Sequence, residues 1–194
     1  MVESLISAVS LWMARAGGVF LLAASLIISF EIIARKTIHL PFNVGTELST
    51  YALAVAASWS FSYVLLRRAH VRIDILRGPL PPFWRAALDV LALSSLAAVA
   101  LILCWHVSGT VATSWRLGAR ENTPLSTPLI IPQGLWLFGL LWFALVCLHQ
   151  LALTTWAFAR RDLDTVVRLA APAGDEEELE EALAGAQARI AQTS

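Results

Sequence analysis

Four apolar stretches alternate with short charged connectors along this chain: Ala16 to Ala34, Leu48 to Leu66, Ala86 to Trp105 and Leu129 to Leu148. Each approaches the roughly 20 residues that an α-helix needs to cross a hydrocarbon core about 30 Å thick. Lipid offers no partner to a backbone N–H or C=O, so a crossing segment must satisfy these groups internally, and the pattern predicts helix in all four. The expected fold class is all-α: a polytopic membrane protein with four transmembrane helices and short amphipathic interfacial helices.

The flanking segments carry their own patterns. Val2, Ile6, Val9 and Met13 share one helical stripe with Trp12 beside it, which predicts a short amphipathic helix in the membrane interface over residues 2–14. Gly17 and Gly18 then allow a bend before the first crossing. The segment before Arg15 has no basic start and no small-residue cleavage site follows, so the first helix is expected to stay. In the 67–85 connector, Arg67, Arg68, Arg72 and Arg77 alternate with apolar Val71, Ile73, Ile75 and Leu76. Arginines that reach phosphates and side chains that dip into acyl chains predict a segment lying on phospholipid, with no nucleic-acid role. Pro79, Pro81 and Pro82 stop it before Phe83 and Trp84 open the third helix. The connector from Arg116 to Pro128 reads as loop and turn. The chain divides into a four-helix domain over 1–160 and an acidic tail over 161–194.

Charge sets the expected orientation. The sequence has 14 basic and 14 acidic residues. Past Ala171 there are six acids and one base, which leaves 13 bases and 8 acids before it. Four crossings put the N-terminus, the 67–85 connector and the tail on one side, with ten of the bases, against Arg35, Lys36, Arg116 and Arg120 on the other. The positive-inside rule then predicts that both termini are cytoplasmic. Trp84, Trp115, Trp136 and Trp156 fall near the predicted span ends, where indoles prefer to sit. At 58% hydrophobic residues and a mean hydropathy of +0.69, the chain is too apolar for a soluble domain of this size.

Few residues invite chemistry. Glu31 and Arg35 stand four apart near the outer end of the first helix, acid first, the favourable order for an ion pair. The functional alternative is that Glu31 binds a coupling ion or proton. Glu47 opens the second helix, where an acid complements the dipole and Asn43 or Thr46 can cap. Arg85 and Asp89 are again four apart, at the inner end of the third helix, and are expected to pair. His106 and His149 are placed in opposite leaflets, which argues against a shared haem iron. His39 and His70 lie in connectors on opposite sides. Cys104 and Cys147 read as small apolar side chains within spans. No cofactor, metal cluster, nucleophile triad or phosphate-binding glycine loop is expected. The second helix is rich in small residues on more than one face (Ser49, Ala52, Ala54, Ala56, Ala57, Ser58, Ser60, Ser62), and one such face is expected to meet another protein. No charge falls between Leu48 and Leu66 or between Val90 and Trp105. Spans this bland are poorly equipped to move a polar solute alone, which points to an accessory subunit rather than an enzyme.

The order of these features resembles a known family. Phe30, Glu31, Arg35 and Lys36 come first, then a short link with Pro41 and Phe42, then Glu47, followed by Arg67, Arg68, His70 and Asp74 ahead of the proline-bounded connector. With Ile131, Pro132, Gln133 and Gly134 starting the fourth helix, this is similar to the small membrane subunit (DctQ-like) of tripartite ATP-independent periplasmic (TRAP) transporters. The resemblance covers roughly residues 1–160. It implies an uptake system for organic acids in the bacterial inner membrane, sodium-coupled, in which a large permease subunit carries the transport sites and a periplasmic substrate-binding protein delivers the solute. The small subunit would be a scaffold without catalytic residues. Arg35, Glu47, His70 and Asp74 match family positions and would make subunit, lipid or local structural contacts. Two other readings stand beside it: a self-contained proton-coupled transporter using Glu31, and a membrane anchor of a redox enzyme.

Overall fold

A computed structural model describes residues 2–38, 44–67, 80–123, 126–162, 165–166 and 169. Among these residues there are four helices: α1 (Val2–Ile38), α2 (Gly45–Leu66), α3 (Pro82–Leu117) and α4 (Ile130–Ala159). All four are long and apolar enough to cross a membrane. At 1.5 Å per residue, α1 and α3 are each about 55 Å long, well beyond a hydrocarbon core of about 30 Å.

Two boundaries differ from the hydropathy pattern. Residues 2–14 are not a separate interfacial helix; they are the first third of α1, which runs through Gly17 and Gly18 unbroken. The reason lies at Gly17, where a Cβ would stand 3.0 Å from Ala56 Cα. The glycine lets α2 approach closely and is used for packing, not for a bend. Helix α3 continues to Leu117, twelve residues beyond the apolar stretch that ends at Trp105, so His106 sits eleven residues before its end. Ser108, Thr110 and Thr113 donate to carbonyls three or four residues back, which keeps the helix going through a stretch with polar side chains.

The chain forms two compact units. The first contains residues 1–63 and 96–149. In it, α1 buries one narrow seam: Ile6, Ser10, Met13, Gly17, Ala24, Glu31 and Ala34. The steps of three, four and seven residues are the mark of near-parallel helix packing with a 3.5-residue repeat. On another face of α1, Leu5, Trp12, Val19, Leu26 and Ile33 repeat every seven residues and are all exposed. Such an apolar row is stable only against lipid or another protein.

The small residues of α2 are used within this unit. Ala56 lies on Gly17 of α1, while Ser58 lies on Gly139 of α4, where a Cβ would come within 2.6 Å of Ser58 Oγ and of Trp59 Cδ1. Ala52, Ala56, Ser58 and Ser62 are all buried. Two faces of small residues therefore serve two neighbours inside the chain, and the expectation that one was kept for another protein does not hold for these four. Trp59 Nε1 donates to Leu135 O at 3.0 Å, and the Phe61 and Phe143 rings meet at 5.4 Å. Trp142 Nε1 donates to the buried Ser10 Oγ at 3.0 Å, joining α4 to α1.

The second unit contains residues 64–95 and 150–194. Ala86, Ala157 and Val166 form its apolar cluster, with Phe158 against it and Phe83 stacked 5.3 Å from Phe158. Helix α4 stops at Arg161, whose φ of 58° is left-handed. Asp162 N donates to Ala157 O and Arg161 N to Phe158 O, a Schellman closure. Asp162 then accepts from Thr165 N at 3.1 Å and from Thr165 Oγ1 at 2.6 Å, starting a new turn that delivers Val166 to the cluster. Ordered packing thus continues at least to Val166.

Candidate functional site

Apart from Glu3 and Arg15 in the first half of α1, the charged residues described in the first unit fall where α1 ends, where α2 begins, and around the end of α3 and its loop into α4. Glu31 is 8% exposed, on the buried seam of α1. One carboxylate oxygen pairs with Arg35 one turn on, as the spacing predicts. The other, Oε2, accepts the backbone N–H of Val44 at 3.2 Å. Val44 is the residue before α2, and its own carbonyl accepts from Leu48 N, the first bond of that helix. A carboxylate from α1 therefore occupies the positive end of α2. Gly45 makes room for it, since a Cβ there would lie 3.2 Å from Glu31 Oε2.

Glu47, 6% exposed, reaches across the unit: its Oε2 accepts from Thr127 Oγ1 at 3.1 Å. Thr127 belongs to a tight loop. Helix α3 ends at Gly118, whose φ of 58° allows Ala119 N to donate to Ser114 O and Gly118 N to Trp115 O. Arg120 then bridges Pro128 in antiparallel fashion, Glu121 N donates to Thr127 O, and Leu129 N donates to Ala119 O. Arg120 Nη1 closes the loop by donating to Ser126 O at 3.1 Å. Glu47 thus fastens the α3–α4 loop to the start of α2. Of the residues expected to cap α2, Asn43 lies outside the described residues.

The remaining charged candidates fall elsewhere. Arg67 is exposed at the end of α2. Arg68, His70, Arg72 and Asp74 lie outside the described residues. In the second unit, Arg85 Nε donates to Leu80 O at 2.7 Å, fixing the entry to α3, and Asp89 one turn on is buried. At the end of α4, Arg160 stacks over Trp156 at 3.7 Å, an arrangement suited to the membrane interface. His106 is exposed on α3 and His149 half-buried on α4. Cys104 and Cys147 are buried free thiols. Among the described residues no group of three or more His, Cys, Asp or Glu side chains is placed to hold a metal ion.

Sequence reading missed Thr127, Ser10 and Trp142 as contact residues. Their bonds span 80 and 132 residues, a separation at which spacing carries no signal. A weak cue existed for Ser10, a lone hydroxyl on the apolar stripe of α1.

The geometry gives Glu31 and Glu47 structural partners and leaves long apolar helix faces exposed, which lipid or another membrane protein must cover. No curated protein and no solved structure was found to match the chain. The family described as tripartite ATP-independent periplasmic transporters, DctQ component, matches residues 24–155, from the middle of α1 to near the end of α4. The chain belongs to that family and is a small membrane component of a TRAP transporter.

Proposed function

We propose that this chain is the scaffold subunit of a secondary transporter for organic acids, coupled to sodium, and that it holds a large permease subunit in place while solute moves through that partner. The observation that carries this reading is the exposed row Leu5, Trp12, Val19, Leu26 and Ile33 along α1, beside two acids that are engaged in fastening helix ends. A helix with a seven-residue apolar repeat on a free face suits a second helix as well as it suits lipid. A periplasmic substrate-binding protein delivers the solute to the assembled pair.

The resemblance to the family supports a bacterial inner membrane, and the ten-to-four distribution of basic residues supports cytoplasmic termini. On that reading the Arg67, Arg68 and Arg72 side chains contact phospholipid phosphates, His70 and Asp74 serve the same connector, and Arg85 pairs with Asp89. The acidic tail beyond residue 161 faces the cytoplasm.

Copurification and reconstituted uptake test the scaffold role. The chain is expected to copurify with a larger membrane protein, and vesicles containing either one alone are expected to accumulate no organic acid. Uptake by vesicles containing only the 194-residue chain would overturn the proposal.

A further inference from the structure

A cleft of about 220 Å³ lies where α3 ends and α4 begins, with Ser114, Trp115, Arg120, Pro128 and Ile130 in its wall. Ser114 is 7% exposed, and its hydroxyl makes no hydrogen bond among the described residues. This departs from its neighbours, since Ser108, Thr110 and Thr113 all donate to carbonyls of the preceding turn. The one hydroxyl of this stretch that does not bond back to the helix is the one in the cleft wall. Arg120 uses Nη1 on Ser126 O, which leaves most of its five N–H donors unused. The Trp115 indole, a donor only, is 71% exposed and has no hydrogen-bond partner among the described residues. Among the described residues no Asp or Glu lines the cleft.

The wall therefore offers donors and one fixed positive charge, and its complement is an anion. The two helix ends agree with this sign. Ser114 O accepts from Ala119 N and Trp115 O from Gly118 N, so the last carbonyls of α3 are occupied. Ile130 opens α4, and the first N–H groups of a helix carry partial positive charge. The surroundings decide what carries the anion. Leu117 and Ile131, chain neighbours of the wall residues Gly118 and Ile130, are exposed apolar side chains. Trp115 beside Arg116 and Arg120 marks the depth at which indoles meet headgroups. From Ile131, the exposed side chains of Leu135 and Phe138 continue an apolar track along one face of α4. A soluble anion has no use for that track, whereas an acyl chain does. The cleft is also smaller than the roughly 300–1,000 Å³ that encloses a drug-sized ligand, which suits a headgroup.

We propose that this cleft binds the phosphate of an anionic phospholipid, held by Arg120 and the Ser114 hydroxyl, with an acyl chain along Ile131, Leu135 and Phe138. A choline headgroup brings a cation for which the wall holds no acid, so phosphatidylglycerol is preferred over phosphatidylcholine. The site is independent of the transport reading above. The test uses the purified full chain in neutral detergent. Its unfolding midpoint is titrated with phosphatidylglycerol, phosphatidylcholine or inorganic phosphate at constant ionic strength. The expected result is a saturable rise with phosphatidylglycerol, smaller with phosphatidylcholine and absent with inorganic phosphate, because a ligand bound only by the folded state stabilises it by mass action. Ser114→Ala and Arg120→Gln should each need roughly tenfold more phosphatidylglycerol for the same rise, through loss of a charge-assisted hydrogen bond. Lys36→Gln, which removes an exposed charge near the end of α1, should keep the parent response. Should Arg120→Gln not fold, Ser114→Ala decides. Equal rises with the two lipids, an equal rise with inorganic phosphate, a full response retained in Ser114→Ala, or a response lost in Lys36→Gln would each overturn the site.

Discussion

The Val44 N–H donates to Glu31 Oε2 across 3.2 Å, so the start of α2 is capped by a carboxylate from α1. The same carboxylate pairs with Arg35, whose side chain is half exposed, so the ion pair alone contributes at most about 1 kcal/mol. Glu31→Gln keeps an acceptor for Val44 and should cost about that much. Glu31→Ala leaves the amide without a partner and should cost about 1–3 kcal/mol more. Thermal unfolding of the two variants checks the order. Uptake per assembled complex should be unchanged in Glu31→Gln; its abolition at normal assembly would restore Glu31 as a coupling site.

Glycine substitutions separate packing from propensity. Gly139→Ala places a methyl within 2.6 Å of Ser58 Oγ and Trp59 Cδ1, and Gly17→Ala places one 3.0 Å from the Ala56 backbone. Each should destabilise by about 1–3 kcal/mol through overpacking. Gly18→Ala meets nothing within 4 Å and should be neutral or gain up to about 1 kcal/mol from helix propensity. Unfolding midpoints of the three variants should rank accordingly; a destabilised Gly18→Ala would contradict the unbroken course of α1.

Thr127→Val removes the hydroxyl that joins the α3–α4 loop to Glu47. The expected loss is about 1 kcal/mol or more, since a second oxygen of a buried carboxylate then lacks a donor. The effect should be local, with faster amide exchange at Ala119, Glu121 and Leu129, the loop's bonded N–H groups. Exchange that rises equally over all four helices would show that the bond is not a local fastening.

Ser10 and Trp142 offer a double-mutant cycle. Trp142→Phe leaves a fully buried hydroxyl without its donor, and Ser10→Ala leaves the indole N–H without an acceptor. Each single change should cost roughly 1–2 kcal/mol, and the double variant should cost less than their sum. Strict additivity of the unfolding free energies would mean that the two groups do not interact.

Most of the helical architecture was legible along the chain because bilayer thickness imposes a length on each apolar run, and hydropathy reports that length directly. The Glu31–Arg35 pair was legible for the same kind of reason: residues four apart on a helix are neighbours whatever surrounds them. The overall class and the four helices long enough to cross a membrane followed from such local rules. The boundaries did not. The division at Gly17 failed because glycine permits both a bend and a close helix contact, and only the position of Ala56 chooses between them. The extension of α3 to Leu117 was hidden because serine and threonine satisfy themselves on the helix backbone without an apolar signature.

What the tertiary structure alone decided is which groups meet across long stretches of sequence. Glu47 was placed correctly at the start of α2, but its partner is Thr127, and the buried faces of α2 are divided between Gly17 and Gly139 on different helices. Hydropathy has one value per residue and no direction, so it measures what a helix can bury without saying against what. Register between helices is set by where small residues, glycines and buried carboxylates coincide in space, and that coincidence exists only once the chain has folded.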